Sequence, residues 1–214
     1  MFTGLEVRRL DGHLLQLGTN SKQFQLLYER IKGHTLVNEA RCFMLYQLAK
    51  HANSKQGQIA EVGVYKGGTG KLIAKTCPDK PIHLFDTFSG MPATDKTKDK
   101  HQQGDFSDTS LKSVKKYLGD CENIQFYQGF FPDTSAPIVG MRFCFVHIDV
   151  DIYKSVIDCC AFFYPRMISG GIMVFDDYGF VDCPGAKLAV DEFFSDKDEY
   201  PCHLPTGQCF VVKL

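Results

Sequence analysis

Five short apolar runs, at 59–64, 82–85, 124–127, 143–148 and 172–175, constrain this chain more than any other feature. Segments of helical character at about 69–77, 108–118, 153–164 and 185–195 follow four of them. Runs that are apolar on both faces and separated by helices predict βαβ units, hence an α/β fold with a mostly parallel sheet and helices on both faces. Two helices should precede it. Phe24, Leu27, Tyr28 and Ile31 space one over 22–32, and Ala40, Phe43, Met44, Leu48 and Ala52 space the other over 38–52. After the last helix, 199–204 and 208–214 read as two strands joined at Pro205-Thr206-Gly207, a C-terminal antiparallel hairpin. With 214 residues the expectation is one domain over 1–214, its first 55 residues forming a helical cap.

A net charge of −1 and a pI near 6.6 leave no basic face for nucleic acid or an anionic membrane. Nine cysteines, an odd number without a Cys-x-x-Cys pair, read as buried thiols rather than a disulfide framework. The first residues lack a signal peptide's apolar stretch, and no run approaches the length of a membrane span. A cytoplasmic protein working on a small molecule is expected, and the amphipathic N-terminal helices could pair two chains as a homodimer.

The first apolar run, Ile59-Ala60-Glu61-Val62-Gly63-Val64, turns through Tyr65-Lys66-Gly67-Gly68-Thr69-Gly70 into a helix. Bare backbone and free N–H groups at such a turn form a nucleotide-sized pocket. A dinucleotide fingerprint is excluded because Tyr65 stands where its second glycine belongs, and a P-loop because Leu72 stands in place of Ser or Thr. What remains is E-x-G-x-x-x-G, the pattern of methyltransferases that use S-adenosylmethionine, in which Glu61 and Gly63 bound the cofactor. Asp86 closes the second run about 20 residues on, where a carboxylate accepts hydrogen bonds from ribose hydroxyls. Phe130, after the third run, either lies against adenine or packs in the core.

The fourth run leads into Asp149-Val150-Asp151, and the fifth into Asp176-Asp177. If these strands are neighbours, Asp149, Asp176 and Asp177 converge off their carboxyl ends, where sites of open α/β sheets lie. Three carboxylates about 4 Å apart repel by roughly 4 kcal/mol per pair at an effective dielectric of 20, so a cation or protonation must relieve them. All-oxygen ligation points to Mg²⁺, with Ca²⁺ or Mn²⁺ as substitutes. The competing reading, aspartates as helix N-caps, accounts for one or two of these acids. His147, inside the fourth run, reads as a hydrogen-bonded core histidine before it reads as a ligand. Residues 92–106, charged and nearly free of aliphatic side chains, form either a solvated loop or a lid. Three rivals remain at this point: a haloacid-dehalogenase-type phosphatase built on Asp149-x-Asp151, a glycosyltransferase using the same pair, and a non-catalytic module that binds S-adenosylmethionine.

Taken together, the segments resemble the macrocin O-methyltransferase family, whose members methylate sugar hydroxyls of natural products. The similarity is carried by Glu61–Gly68, Leu84–Pro92, Gly104–Ser110, Gly129–Thr134, Ile148–Ser155, Gly170–Tyr178 and Gly185–Phe193. The resemblance implies a Rossmann-like class I methyltransferase with a seven-stranded sheet, S-adenosylmethionine and Mg²⁺. It implies metal ligands at Asp149, Asp176 and Asp177, a general base at Asp151, and cofactor contacts around Glu61, Gly63 and Asp86, with Asp149 serving cofactor and metal together. A sugar-containing acceptor, or another diol, is implied. The chain is shorter than antibiotic-modifying members, mainly at its N-terminus, and Thr206–Lys213 lacks their aromatic ending, so the resemblance does not carry acceptor identity.

Overall fold

The computed structural model describes residues 21–214 and, for backbone alone, two short strands, β1 (Val7–Leu10) and β2 (His13–Gln16), paired antiparallel. Neither strand is among the expected elements, although Asp11-Gly12, the dipeptide between them, is a hairpin signal in the sequence.

The predicted alternation is present. The strands are β3 (Gln58–Val62), β4 (Ile82–Asp86), β5 (Ile124–Gln128), β6 (Phe143–Ile148), β7 (Met167–Phe175), β8 (Cys202–His203) and β9 (Cys209–Val212). They form one seven-stranded sheet in the order β5-β4-β3-β6-β7-β9-β8. The first five are parallel, β9 runs antiparallel to β7, and β8 pairs with β9 through a turn at Gly207 (φ +95°). The expected fold, with its C-terminal antiparallel hairpin, is therefore borne out. β7 begins five residues before the predicted start: Gly170 and Gly171 interrupt the apolar pattern, and the pairing register with β6 shifts across them.

The helices are α1 (Lys22–Ile31), α2 (Glu39–Ala52), α3 (Gly68–Thr76), α4 (Leu111–Tyr117), α5 (Tyr153–Phe163) and α6 (Pro184–Phe194). Side-chain oxygens of Ser21, Asn38 and Ser110 accept the first free N–H groups of α1, α2 and α4. Helices α1, α2 and α3 cover one sheet face over Ile59, Phe145 and Val174, whereas α5 and α6 cover the other over Ala60, Val146 and Met173. Phe24 and Ile31 of α1 and Cys42, Leu45 and Ala49 of α2 lie in this core. All nine cysteines are free thiols, seven of them buried. Among the described residues no helix is long and apolar enough to cross a membrane.

The chain leaves the sheet centre at β3, runs outward through β4 and β5, and returns to β6 on the other side of β3. This reversal opens a crevice at the carboxyl ends of β3 and β6. Gly63 lies at its mouth with φ +90°, where a Cβ would stand 1.8 Å from the carbonyl oxygen of Asp149; only glycine fits.

On the outer side of the sheet, His83 of β4 is buried between Tyr127 Oη, 2.9 Å from Nδ1, and Gln58. Burial pushes its pKa down to about 4. Above about 6.5 neither state is protonated here; toward about 4 the unfolded chain binds a proton that the folded chain refuses. Stability is expected to fall by about 2–3 kcal/mol between pH 7 and 4.5 through this group. Urea unfolding at both pH values, compared with His83→Gln, isolates that contribution.

Candidate active site

The crevice is lined at its base by Gly63, Val64 and Tyr65 after β3, Asp86 and Thr87 after β4, Phe130 after β5, and Asp149, Val150 and Asp151 after β6. Thr35, Leu36 and Arg41 wall one side, and Met91, Pro92 and Phe106 cover it.

Asp86 holds the glycine turn in shape. Its Oδ2 accepts the N–H groups of Val64 and Tyr65 at 2.7 and 2.8 Å, and its Oδ1 that of Phe88 at 2.6 Å. Oδ2 has both lone-pair sites taken, whereas Oδ1 receives only the Phe88 N–H and a long 3.4 Å contact from Thr87 Oγ1, so Oδ1 can still take a ligand hydroxyl. The two aromatics after β5 divide their roles. Phe131 is buried against Phe85 and Phe163 with one edge on the crevice, while Phe130 lines the crevice half-buried. Glu61 is placed differently from the expectation. It does not line the crevice but lies fully buried beneath it, with Oε1 2.9 Å from Nδ1 of His147, its register partner on β6.

His147 continues this line, with Nε2 3.5 Å from Asp176 Oδ1. It is the hydrogen-bonded core histidine that was expected. Burial opposes its charge, but hydrogen bonds to Asp176 and Glu61 outweigh burial and raise its pKa to about 10. Glu61, His147 and Asp176 thus form a buried chain on the face covered by α2, and Gln208, just before β9, donates to Asp176 Oδ1 at 2.7 Å.

Asp149, Asp176 and Asp177 converge: one carboxylate oxygen from each lies within 4.8 Å of the others. Burial, then the charge of Asp176, pushes the Asp149 carboxyl well up; burial, then Asp151 and Asp149, does the same to Asp177. Burial also opposes ionisation of Asp176, but His147, Arg41 and Gln208 hold it below the usual range. Three hard oxygen donors, two forced toward their protonated forms by burial and by neighbouring acids, are a set that a divalent cation relieves, so the residues fit one. The only other triad of ligand-type side chains among the described residues is His101, Asp151 and Cys183.

Sequence reasoning missed Arg41. From the third residue of α2 its guanidinium donates to Asp176, stands 4.0 Å from Asp177, and stacks 4.7 Å over the Phe180 ring. An arginine in the first turn of α2 was the available signal, but its partner lies 135 residues away. Removing one member of a buried pair leaves the other charge uncompensated, at about 3–5 kcal/mol. Arg41→Gln is accordingly expected to lower stability by up to that amount, read by urea unfolding in EDTA, and excess Mg²⁺ should restore part of it.

Asp151 has φ +58°, a left-handed backbone that turns its carboxylate toward the covering loop, while its N–H donates to Asp177 Oδ2 at 3.3 Å. Residues 92–106 are folded onto the protein. At the loop's base Met91 donates its N–H to the Asp105 carbonyl and accepts that of Gly104, and Asp99 Oδ1 caps α5 by accepting the Tyr153 N–H at 2.9 Å.

A sheet reversing at this crevice, a glycine turn braced by Asp86, and acids meeting off β6 and β7 are the frame on which similarity to known proteins bears. Residues 29–200 match the family described as Macrocin-O-methyltransferase (TylF). The chain belongs to the macrocin O-methyltransferase family. The expected family is confirmed, and with it an O-methyltransferase rather than a phosphatase or glycosyltransferase.

Within the macrocin O-methyltransferase family, the chain is 29% identical over 181 residues to demethyldecarbamoylnovobiocin O-methyltransferase of Streptomyces niveus, covering 75% of this chain and 68% of that protein. It is 26% identical over 172 residues to the 8-demethyl-8-(2,3-dimethoxy-alpha-L-rhamnosyl)-tetracenomycin-C 4'-O-methyltransferase of Streptomyces olivaceus, covering 72% and 66%. The fold is shared with the O-methyltransferase NovP at a TM-score of 0.74 and 23% identity over 84% of this chain and 82% of that one. It is also shared with an O-methyltransferase from Bacillus cereus in complex with SAH, at 0.60 and 11% over 91% and 90%.

Proposed function

We propose that this protein is an S-adenosylmethionine- and Mg²⁺-dependent O-methyltransferase acting on a hydroxyl of a sugar or another diol-containing small molecule. The observation that carries this reading is the meeting of Asp149, Asp176 and Asp177 beside a crevice that Gly63, Asp86, Phe130, Asp149 and Asp177 line. Support for the cofactor comes from the family and from the SAH complex of a protein of the same fold. Support for a sugar comes from the rhamnosyl acceptor in a relative's name.

In this reading Gly63 offers bare backbone to the cofactor, Asp86 accepts from its ribose, Phe130 lies against its adenine, and Asp149 borders it. Glu61 acts from beneath, fixing His147 and through it Asp176. Asp149, Asp176 and Asp177 hold the Mg²⁺, which supplies Lewis acidity to acceptor oxygens. Asp151 takes the hydroxyl proton: it lies two residues past Asp149, and burial raises its carboxyl toward a value suited to accepting one. Residues 92–106 act as the lid that excludes water, with Pro92 and Phe106 over the crevice. Alignment of two bound reactants lowers the barrier by as much as roughly 7–11 kcal/mol.

The test is methyl transfer from S-adenosylmethionine to a panel of glycosides and catechols, followed by mass spectrometry with Mg²⁺ and with EDTA. Product that forms equally well in EDTA removes the metal from the mechanism. Calorimetric binding of S-adenosylmethionine without turnover on any acceptor favours a non-catalytic binding module instead.

A further inference from the structure

A second cluster of ligand-type side chains lies between the covering loop and the sheet. His101 of the loop, Asp151 after β6 and Cys183 at the N-cap of α6 each offer one atom within 4.8 Å of the others. The separations are 3.7 Å from His101 Nε2 to Cys183 Sγ, 3.5 Å from Cys183 Sγ to Asp151 Oδ1, and 3.8 Å from His101 Nε2 to Asp151 Oδ1. The nitrogen–oxygen distance is too long for a hydrogen bond. Tetrahedral zinc, with bonds of about 2.0–2.3 Å, sets its ligand atoms roughly 3.3–3.6 Å apart, so movements of a few tenths of an ångström would close this set on one ion.

The chemistry of the set points the same way. Imidazole, thiolate and a single carboxylate suit zinc, whereas Mg²⁺ prefers the all-oxygen triad nearby. The outer nitrogen of His101 is already fixed, with Nδ1 3.1 Å from Asp105 Oδ2. A carboxylate on the far nitrogen is the usual partner of a metal-bound histidine, orienting the ring and presenting Nε2 as the free donor. The His101 and Asp151 side chains are 22% and 18% exposed, which leaves an ion a way in.

We propose that His101, Asp151 and Cys183 form a zinc site, distinct from the triad of acids, that ties the covering loop to the end of β6 and inhibits methyl transfer while occupied. Binding forms a zinc–thiolate bond and releases the Cys183 proton to solvent. The inhibitory part rests on Asp151 being the base; the existence of the site does not.

The test uses the full chain in excess Mg²⁺, which fills the acid triad, titrated with Co²⁺ as a spectroscopic substitute for zinc and then displaced with Zn²⁺. The expected result is a thiolate-to-cobalt charge-transfer band at one equivalent, absent in Cys183→Ser. Asp105→Asn, which keeps every ligand, should weaken Zn²⁺ binding by about 10–100-fold. Absence of the band, or a band unchanged in Cys183→Ser, overturns the site. Zinc should inhibit methyl transfer by the wild-type chain and spare Cys183→Ser. A chain that shows the band, loses it in Cys183→Ser, and still turns over with zinc bound keeps the site but removes Asp151 from the base role.

Discussion

Asp149→Asn is expected to abolish methyl transfer while leaving the fold and cofactor binding intact. The substitution keeps the shape of the side chain and removes a charge that the folded protein already disfavours: burial and the neighbouring Asp176 push this carboxyl strongly toward its neutral form. Little stability should therefore be lost, and thermal unfolding in EDTA should change little. The effect on chemistry is different. An amide offers a divalent cation one weaker oxygen and no charge, so the triad loses a third of its anionic ligands. A Lewis acid contributes several kcal/mol to stabilising developing charge, and losing it corresponds to roughly a thousandfold in rate. Calorimetry should show S-adenosylmethionine bound and Mg²⁺ affinity largely gone. Transfer retained within about tenfold of wild type would mean that no catalytic ion is held there.

Asp151→Asn should be the more selective lesion. At φ +58° this residue occupies a backbone region that asparagine tolerates better than nearly any other non-glycine residue, so the turn after β6 should survive. Asp149, Asp176 and Asp177 are unchanged, so Mg²⁺ and cofactor affinities should be too. Only the capacity to accept a proton disappears, and kcat should fall by about 10²–10⁴ with KM for either substrate nearly constant. Steady-state kinetics over an acceptor series checks this split. A variant that raises KM instead would show Asp151 binding the acceptor rather than deprotonating it.

These two residues were legible because Asp149 follows directly on an apolar strand and Asp151 lies two residues on, and the end of a strand in a parallel sheet is where a ligand can reach. Glu61, expected near the cofactor from the glycine-turn pattern, shows what spacing alone leaves open. It sits one residue before the strand ends, so strand alternation turns it to the face covered by α2, where it meets His147 rather than the crevice. Phe130 and Phe131 show the limit from the other side. Adjacent identical residues cannot be assigned to crevice and core without knowing which way the turn after β5 sends each of them.

The sequence by itself determined the α/β alternation, the glycine turn, the strand-end acids and the family, since these rest on local spacing and on side chains a few residues apart. The tertiary structure alone decided that Arg41 meets Asp176 across 135 residues and that Glu61, His147 and Asp176 form one buried chain. It alone decided, too, that a loop histidine stands beside Asp151 and Cys183. Such contacts follow from how helices and loops pack against the sheet, a balance of burial and shape over the whole core that no short window of residues contains.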